Sequence, residues 1–111
     1  MPNKLRVVVR ADLPVGAQAC QAIHVAQEFV FRHPELATPW FEKSNTIALL
    51  SVPNEFALLV LHDLAAARGI AVTLFREPDL NNTATALAIA PCEDARFLCM
   101  PLSLALREAS A

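Results

Sequence analysis

The chain has 111 residues, 55% of them hydrophobic, with nine Lys or Arg against eleven Asp or Glu and a net charge of −2. That size fits one domain with a useful core, and the slight negative charge argues against a broad nucleic-acid footprint while leaving room for a local basic rim. Tyr is absent and Trp occurs once, which leaves few aromatic platforms for stacked bases; no apolar run reaches the ~18 residues of a membrane span, and the N-terminus lacks a signal-peptide layout.

In chain order, residues 4–10 read as a first strand whose Val7, Val8 and Val9 form the continuous apolar run of a strand covered on both faces. Asp12, Pro14 and Gly16 then supply turn chemistry, Asp12 as a cap and Pro14 in a first-turn position. A helix is expected over 15–32, ended by His33-Pro34. Gln18, Gln21, His24 and Glu28 share one of its faces, and Ala19, Ala22, Ile23, Ala26 and Val30 take the other, predicting a packed helix with a Gln/His edge at the sheet rim. Residues 36–43 form a short helix with Trp40 and Phe41 as a lid on the core, and 45–52 a second apolar strand. A helix over 54–68 buries Phe56, Leu59, Val60, Leu64 and Ala67 and is capped by Gly69. A third strand at 70–76, a polar loop at 77–82, a fourth strand at 83–90 and a helix at 92–98 follow. Residues 101–106 are apolar enough to pack on the sheet or on a partner, and 108–111 read as a loose tail. The order predicts an α/β fold: a small mixed sheet with helices on both faces, its last two strands antiparallel. Cys20, Cys92 and Cys99 lie far apart without metal-ligand spacing, as expected of reduced, buried thiols in a cytoplasmic protein with no zinc site.

Charged residues make up only 18% of the chain, so their clustering is informative. Arg10 and Asp12 follow the first strand, and Arg76, Glu77 and Asp79 follow the third. If those strands are parallel neighbours, their C-terminal ends bring these groups to one rim, where open α/β sheets bind ligands, with Gln21 and His24 beside them. His24 is the general acid or base by residue type, or else a surface histidine held by Glu28. Gln21 orients a water or reads an amide, or faces solvent. Asp12 is catalytic or an N-cap, and Arg10 and Arg76 hold phosphate or pair with the nearby carboxylates. Thr83 and Thr85 offer hydroxyls, although Thr in a strand needs no special cause. His33 and His62 have no polar company and read as structural, and no cysteine has a base nearby in sequence. P-loop, dinucleotide-fingerprint and nucleophile-elbow motifs are missing. Spacing by itself names no reaction.

The same residues carry a resemblance. Val7-Val8-Val9-Arg10-Ala11-Asp12-Leu13, then Gln21-Ala22-Ile23-His24, resembles the opening of the type-2 peptidyl-tRNA hydrolases, where a hydrophobic strand ends in an Arg-x-Asp-Leu-like turn before a helix with an Ala-Gln-x-x-His-like signature. Pro39-Trp40-Phe41 resembles the family's segment before strand two. Arg68-Gly69-Ile70-Ala71-Val72-Thr73-Leu74 resembles its entry to strand three, and Thr85-Ala86-Leu87-Ala88-Ile89-Ala90-Pro91 its last strand and turn. The resemblance runs in order over residues 4–107, a single domain. It implies a four-stranded mixed sheet, often in a dimer, and hydrolysis of the ester between a peptide and the terminal ribose of tRNA, with no metal or cofactor.

Two departures stand beside it. The turn before the first helix is about two residues shorter than the family's Gly-Lys-rich loop, and Ala17 falls near the lysine position. The loop after strand three, Glu77-Pro78-Asp79-Leu80-Asn81-Asn82, lacks glycine; Glu77 falls at the acidic position and Thr83 and Thr85 at the later hydroxyl positions. The resemblance then implies His24, Asp12 and Glu77 as the catalytic set, with a water activated by His24 or by one of the two carboxylates. Backbone N–H groups near Gly16 and Ala17 would meet the oxyanion. Arg10, Gln21, Arg76, Asp79, Thr83 and Thr85 would contact substrate, the arginines through the phosphates of the tRNA acceptor end. The alternative is a non-catalytic binding or dimerisation module, favoured by the missing lysine and a pI near 5.8. A homodimer is expected in either case, because the first helix, Trp40, Phe41 and residues 101–106 offer more apolar surface than a chain this short covers.

Overall fold

The computed structural model describes residues 3–107, so the expected loose tail at 108–111 lies outside the described residues. Strand β1 (Leu5–Arg10) is buried at every position but its last, the behaviour of an apolar run covered on both faces. The elements that follow are α1 (Val15–Arg32), α2 (Pro34–Lys43), β2 (Ile47–Val52), α3 (Glu55–Ala67), β3 (Val72–Glu77), a 3₁₀ turn (Pro78–Leu80), β4 (Thr83–Ile89), α4 (Glu93–Cys99) and β5 (Ser103–Leu104). The strands form one sheet in the order β3-β4-β1-β2-β5. β1 and β2 are parallel, and β4 is antiparallel to both β1 and β3. The chain moves one way along the sheet from β1 through α1 to β2, then back past β1 through α3 to β3. Right-handed crossovers in opposite senses put α1 and α3 on opposite faces, and β4 is buried from Ala84 to Ile89 between them. Val7, Val8, Val9, Val25, Phe29, Leu58, Leu87 and Ile89 are at most 1% exposed and centre the core; each such side chain contributes about 1.5–3 kcal/mol by burial.

The fold class is the expected one, with five strands in place of four. The added strand comes from the apolar stretch at 101–106: Leu104 and Ser103 pair antiparallel with Leu50 and Ser51 of β2.

Both long helices turn other faces to the sheet than their hydrophobic spacing predicts. In α1 the buried residues are Gln18, Gln21, Val25 and Phe29, while Ile23 and Phe31 are 66% and 82% exposed. The two glutamines can be buried because partners elsewhere in the fold satisfy their amides. In α3 the buried residues are Leu58, Leu61 and Ala65, and Phe56, Val60 and Leu64 are exposed. That helix is apolar on nearly every face, so period alone cannot choose one; polar contacts choose it. The Asn54 side chain accepts from the Ala57 N–H at 2.9 Å as the N-cap, and Glu55 is drawn to β4 as described below. Gly69 adopts φ +71° just past the helix end, the left-handed conformation that glycine enters at least cost.

Trp40 is buried, its indole N–H donating to the Thr46 carbonyl at 2.8 Å, whereas Phe41 is exposed. Cys20 is exposed and Cys99 buried, and burial pushes the Cys99 thiol up to about 11. His62 and His33 do have polar company, Asp63 at 3.1 Å and Glu35 at 3.6 Å. Among the described residues no helix is long and apolar enough to cross a membrane.

Candidate active site

The C-terminal ends of β1 and β3 point the same way, as the clustering of charge requires, but they are not neighbours: the start of β4 lies between them. That insertion decides which predicted residues meet. Pairing of β3 with β4 passes from Phe75↔Ala86 to Arg76↔Ala84, so Thr85 is an extra residue in a β-bulge. Phe75 lies under α1, where His24 stacks on it, and Ala86 opposite shares that face. Strict alternation would send the next residue, Thr85, to the far face. The bulge turns it back beneath α1, a recurrent use of bulges beside active sites.

There Thr85 Oγ1 donates to Gln21 Oε1 at 2.6 Å, and Gln21 Nε2 donates to Glu77 Oε1 at 3.0 Å. A carboxylate can only accept, so the amide nitrogen faces Glu77 and the amide oxygen is left for the hydroxyl. Thr85 is 0% and Gln21 4% exposed, so these bonds form where a lost partner would cost about 1–3 kcal/mol. The chain runs from a buried hydroxyl to the half-buried Glu77, whose second carboxylate oxygen is a further acceptor at the rim.

Arg10 and Asp12 form the adjoining cluster. Nε and Nη2 of Arg10 donate to the two Asp12 oxygens at 3.0 and 2.9 Å, and Nη1 donates to the Ala84 carbonyl at 3.2 Å. The hydrogen bond from Arg10 holds the Asp12 carboxyl below its ordinary value, and the same bond raises the guanidinium of Arg10 against the desolvation of partial burial. Asp12 therefore does not cap α1; Pro14 holds the N-cap position without a side-chain bond. The turn is fixed instead by Gln18, whose Nε2 donates to the Ala11 and Leu13 carbonyls at 3.3 and 2.7 Å.

Because the folded-state pKa of Asp12 is depressed, its contribution to stability is present above 3.8 and is lost as pH falls through the lower folded value. Asp12 is 41% exposed at the side chain, which limits the effect of Asp12→Asn at neutral pH to about 1 kcal/mol or less. Urea midpoints of the wild type and this variant should differ at pH 7 and converge in acid, once the pH has fallen below the lowered folded-state value of Asp12. A gap that persisted in acid would contradict the pairing.

The other predicted residues stand at the edge of this arrangement. His24, one turn beyond Gln21, is exposed and stacks on Phe75 at 4.9 Å with an 8° interplanar angle, outside the chain of hydrogen bonds. Arg76 is exposed and donates to the Asn82 carbonyl at 3.3 Å. Thr83 donates to the Leu80 carbonyl at 2.8 Å and braces the loop, and Asp79 is exposed in the 3₁₀ turn. Asn81 and Asn82 close that loop at φ 56° and 58°, a conformation that asparagine tolerates. Direct contacts thus join Gln21, Glu77 and Thr85, and separately Arg10 with Asp12. Gln18, one of the residues on the expected Gln/His edge, and Glu55, which carries no sequence signal, adjoin this arrangement through backbone contacts. Among the described residues no group of three or more His, Cys, Asp or Glu is arranged around a metal position. A cavity of about 370 Å³ lined by Asn3, Glu35, Trp40, Lys43 and Pro91 lies at the opposite end of β1 and β4.

The model of the peptidyl-tRNA hydrolase PTH2 family matches residues 3–100. The chain belongs to the PTH2 family. It is similar to a peptidyl-tRNA hydrolase of Methanopyrus kandleri, with 32% identity over 94 residues that cover 77% of this chain and 81% of that protein. Its fold is that of a solved protein of unknown function from Agrobacterium tumefaciens strain C58, at a TM-score of 0.68 and 15% identity, covering 94% of this chain and 98% of the other. Gln21, Glu77, Thr85 and the Arg10/Asp12 pair all fall inside the PTH2 match, whereas β5 lies beyond it.

Proposed function

We propose that this PTH2 protein hydrolyses the ester that joins a peptide to the terminal ribose of tRNA, with residues 4–107 acting as one hydrolase domain. The observation that carries the reading is the chain from Thr85 through Gln21 to Glu77 at the strand rim. In this reading the fully buried Thr85 fixes Glu77 through Gln21, and a water sits on the outer oxygen of Glu77 at the rim. The carboxylate takes its proton as the oxygen attacks the ester carbonyl. The tetrahedral oxyanion is met by N–H groups in the first turn of α1 around Gly16 and Ala17. That turn has no side-chain cap and no acidic residue to compete for them, and the helix dipole adds to their effect. The leaving ribose oxygen takes a proton from His24 or from Glu77, and free peptide and tRNA result.

Asp12 is tied to Arg10 and serves the site by fixing that side chain. Arg76, exposed and without a carboxylate partner among the described residues, is the first contact for acceptor-end phosphates, with Arg10, Asp79 and Thr83 lining the approach. A negative protein that binds tRNA through so few cations is expected to bind it weakly and in a salt-dependent way. Such a substrate also places the protein in the cytoplasm.

The test is release of N-acetyl-amino acid from N-acetyl-aminoacyl-tRNA by protein at far below the substrate concentration. Multiple turnovers support the reading. A tRNA gel shift with no cleavage would replace it with the binding module.

The assembly proposed is a homodimer. Its interface is drawn from Val15, Ile23, Val30 and Phe31 of α1 with Phe41 of α2, all exposed apolar side chains; the buried Trp40 is not part of it. Light scattering at micromolar concentration should give twice the 12.1 kDa chain mass. A monomer mass that does not change with concentration would contradict it.

A further inference from the structure

The pairing of β1 with β4 ends at Val9↔Ala86, because β1 turns away and the Ala11 N–H goes to Val52 instead. In a strand the N–H and C=O of one residue point to the same side. Those of Ala84 are therefore left where a further β1 residue would have bonded them, and Ala84 is 0% exposed. Two side chains from different elements take that place. Glu55 Oε2, at the first position of α3, accepts from the Ala84 N–H at 2.7 Å. Arg10 Nη1, at the end of β1, donates to the Ala84 carbonyl at 3.2 Å. The two charges also attract each other. Ala84 is the residue next to the bulged Thr85, and a β-bulge persists only where its unpaired backbone groups find other partners.

We infer that Glu55 is a positioning residue: with Arg10 it clamps the Ala84 peptide, and that clamp holds the bulge that delivers the Thr85 hydroxyl to Gln21. The carboxylate touches neither substrate nor the attacking water and works only through Ala84 and Thr85. It also locks the N-terminus of α3 on one face of the sheet to the catalytic chain beneath α1 on the other. This inference rests on the hydrolase reading for its effect on rate and on the bonds themselves for its effect on structure.

The test uses Glu55→Ala and Glu55→Gln in the full chain, with two readouts. The first needs no turnover: hydrogen exchange of the Ala84 amide and the NMR signals of the Gln21 side-chain amide. Glu55→Ala should speed Ala84 exchange at least about tenfold while core amides of β1 stay protected, and should shift the Gln21 signals. Glu55→Gln, whose amide oxygen still accepts from Ala84, should restore both. The second readout is kinetic. Glu55→Ala should lower kcat about tenfold or more with KM within about twofold, as expected when a reacting group is misplaced without loss of binding. Glu55→Gln should recover most of the rate, and Glu55→Ala should add nothing in a Thr85→Val background. Unchanged Ala84 exchange or unmoved Gln21 signals in Glu55→Ala would overturn the clamp. A lost clamp with unchanged kcat would overturn the positioning role. A wild type with no hydrolase activity would end the hydrolase reading and leave the NMR readout to decide the clamp.

Discussion

Glu77→Gln is expected to lower the rate of peptidyl-tRNA hydrolysis by at least ~100-fold, the usual scale for loss of a general acid–base group. The substitution keeps size and shape, and the new amide oxygen still accepts from Gln21 Nε2, the bond now made at 3.0 Å. Folding should therefore change little, and thermal midpoints are expected to agree within a few degrees. KM should also hold, since the carboxylate acts on water and not on the tRNA phosphates. Steady-state kinetics with N-acetyl-aminoacyl-tRNA checks this. A variant with wild-type kcat would remove Glu77 from the chemistry and return the role of base to His24.

Gln21→Ala should be nearly as damaging to rate and more damaging to stability. Its amide is the only link between Thr85 and Glu77 in the observed chain of bonds. Truncation leaves the fully buried Thr85 hydroxyl without its acceptor, a loss of about 1–3 kcal/mol. For a domain of this size each kcal/mol moves the thermal midpoint by roughly 4–8 °C. With hydroxyl and carboxylate both released, a fall in kcat of about 100-fold is expected, since a displacement near 1 Å has that effect on a reacting group. Calorimetry and kinetics on the same sample separate the two losses. A stable variant with normal turnover would make Gln21 a bystander.

Much of this molecule is legible in the order of its residues. The apolar run Val7-Val8-Val9, the His33-Pro34 stop and the left-handed Gly69 act through local chemistry, and the strands and helices appear where such signals put them. The site is legible in part. Charge at the ends of β1 and β3 marks the rim, but the sequence cannot tell that β4 divides it, because strand order is settled by pairing far along the chain. Gln21 shows the difficulty best. A glutamine on an amphipathic helix reads as a solvent-facing residue, and it is buried here because its partners arrive 56 and 64 residues later. The rotation of α3 fails for a related reason: Phe56, Val60 and Leu64 compete with Leu58 and Leu61 on hydrophobicity alone, and Asn54 and Glu55 decide the outcome with polar bonds. Residues 101–106 read as an apolar stretch and nothing more; the short β5 within it, exposed at both residues, is made by pairing with Leu50 and Ser51, far away in the chain.

Single-turnover hydrolysis by Glu77→Gln, Gln21→Ala and the double variant, with the protein saturating, tests most directly whether Thr85, Gln21 and Glu77 act as one unit. Residues that work as a unit are not additive. The double variant is therefore expected to be no slower than the worse single variant, with tRNA binding by all three within about twofold of wild type. Losses that multiply in the double variant, or a fall in binding that accounts for the fall in rate, would contradict a catalytic chain running from Thr85 to Glu77.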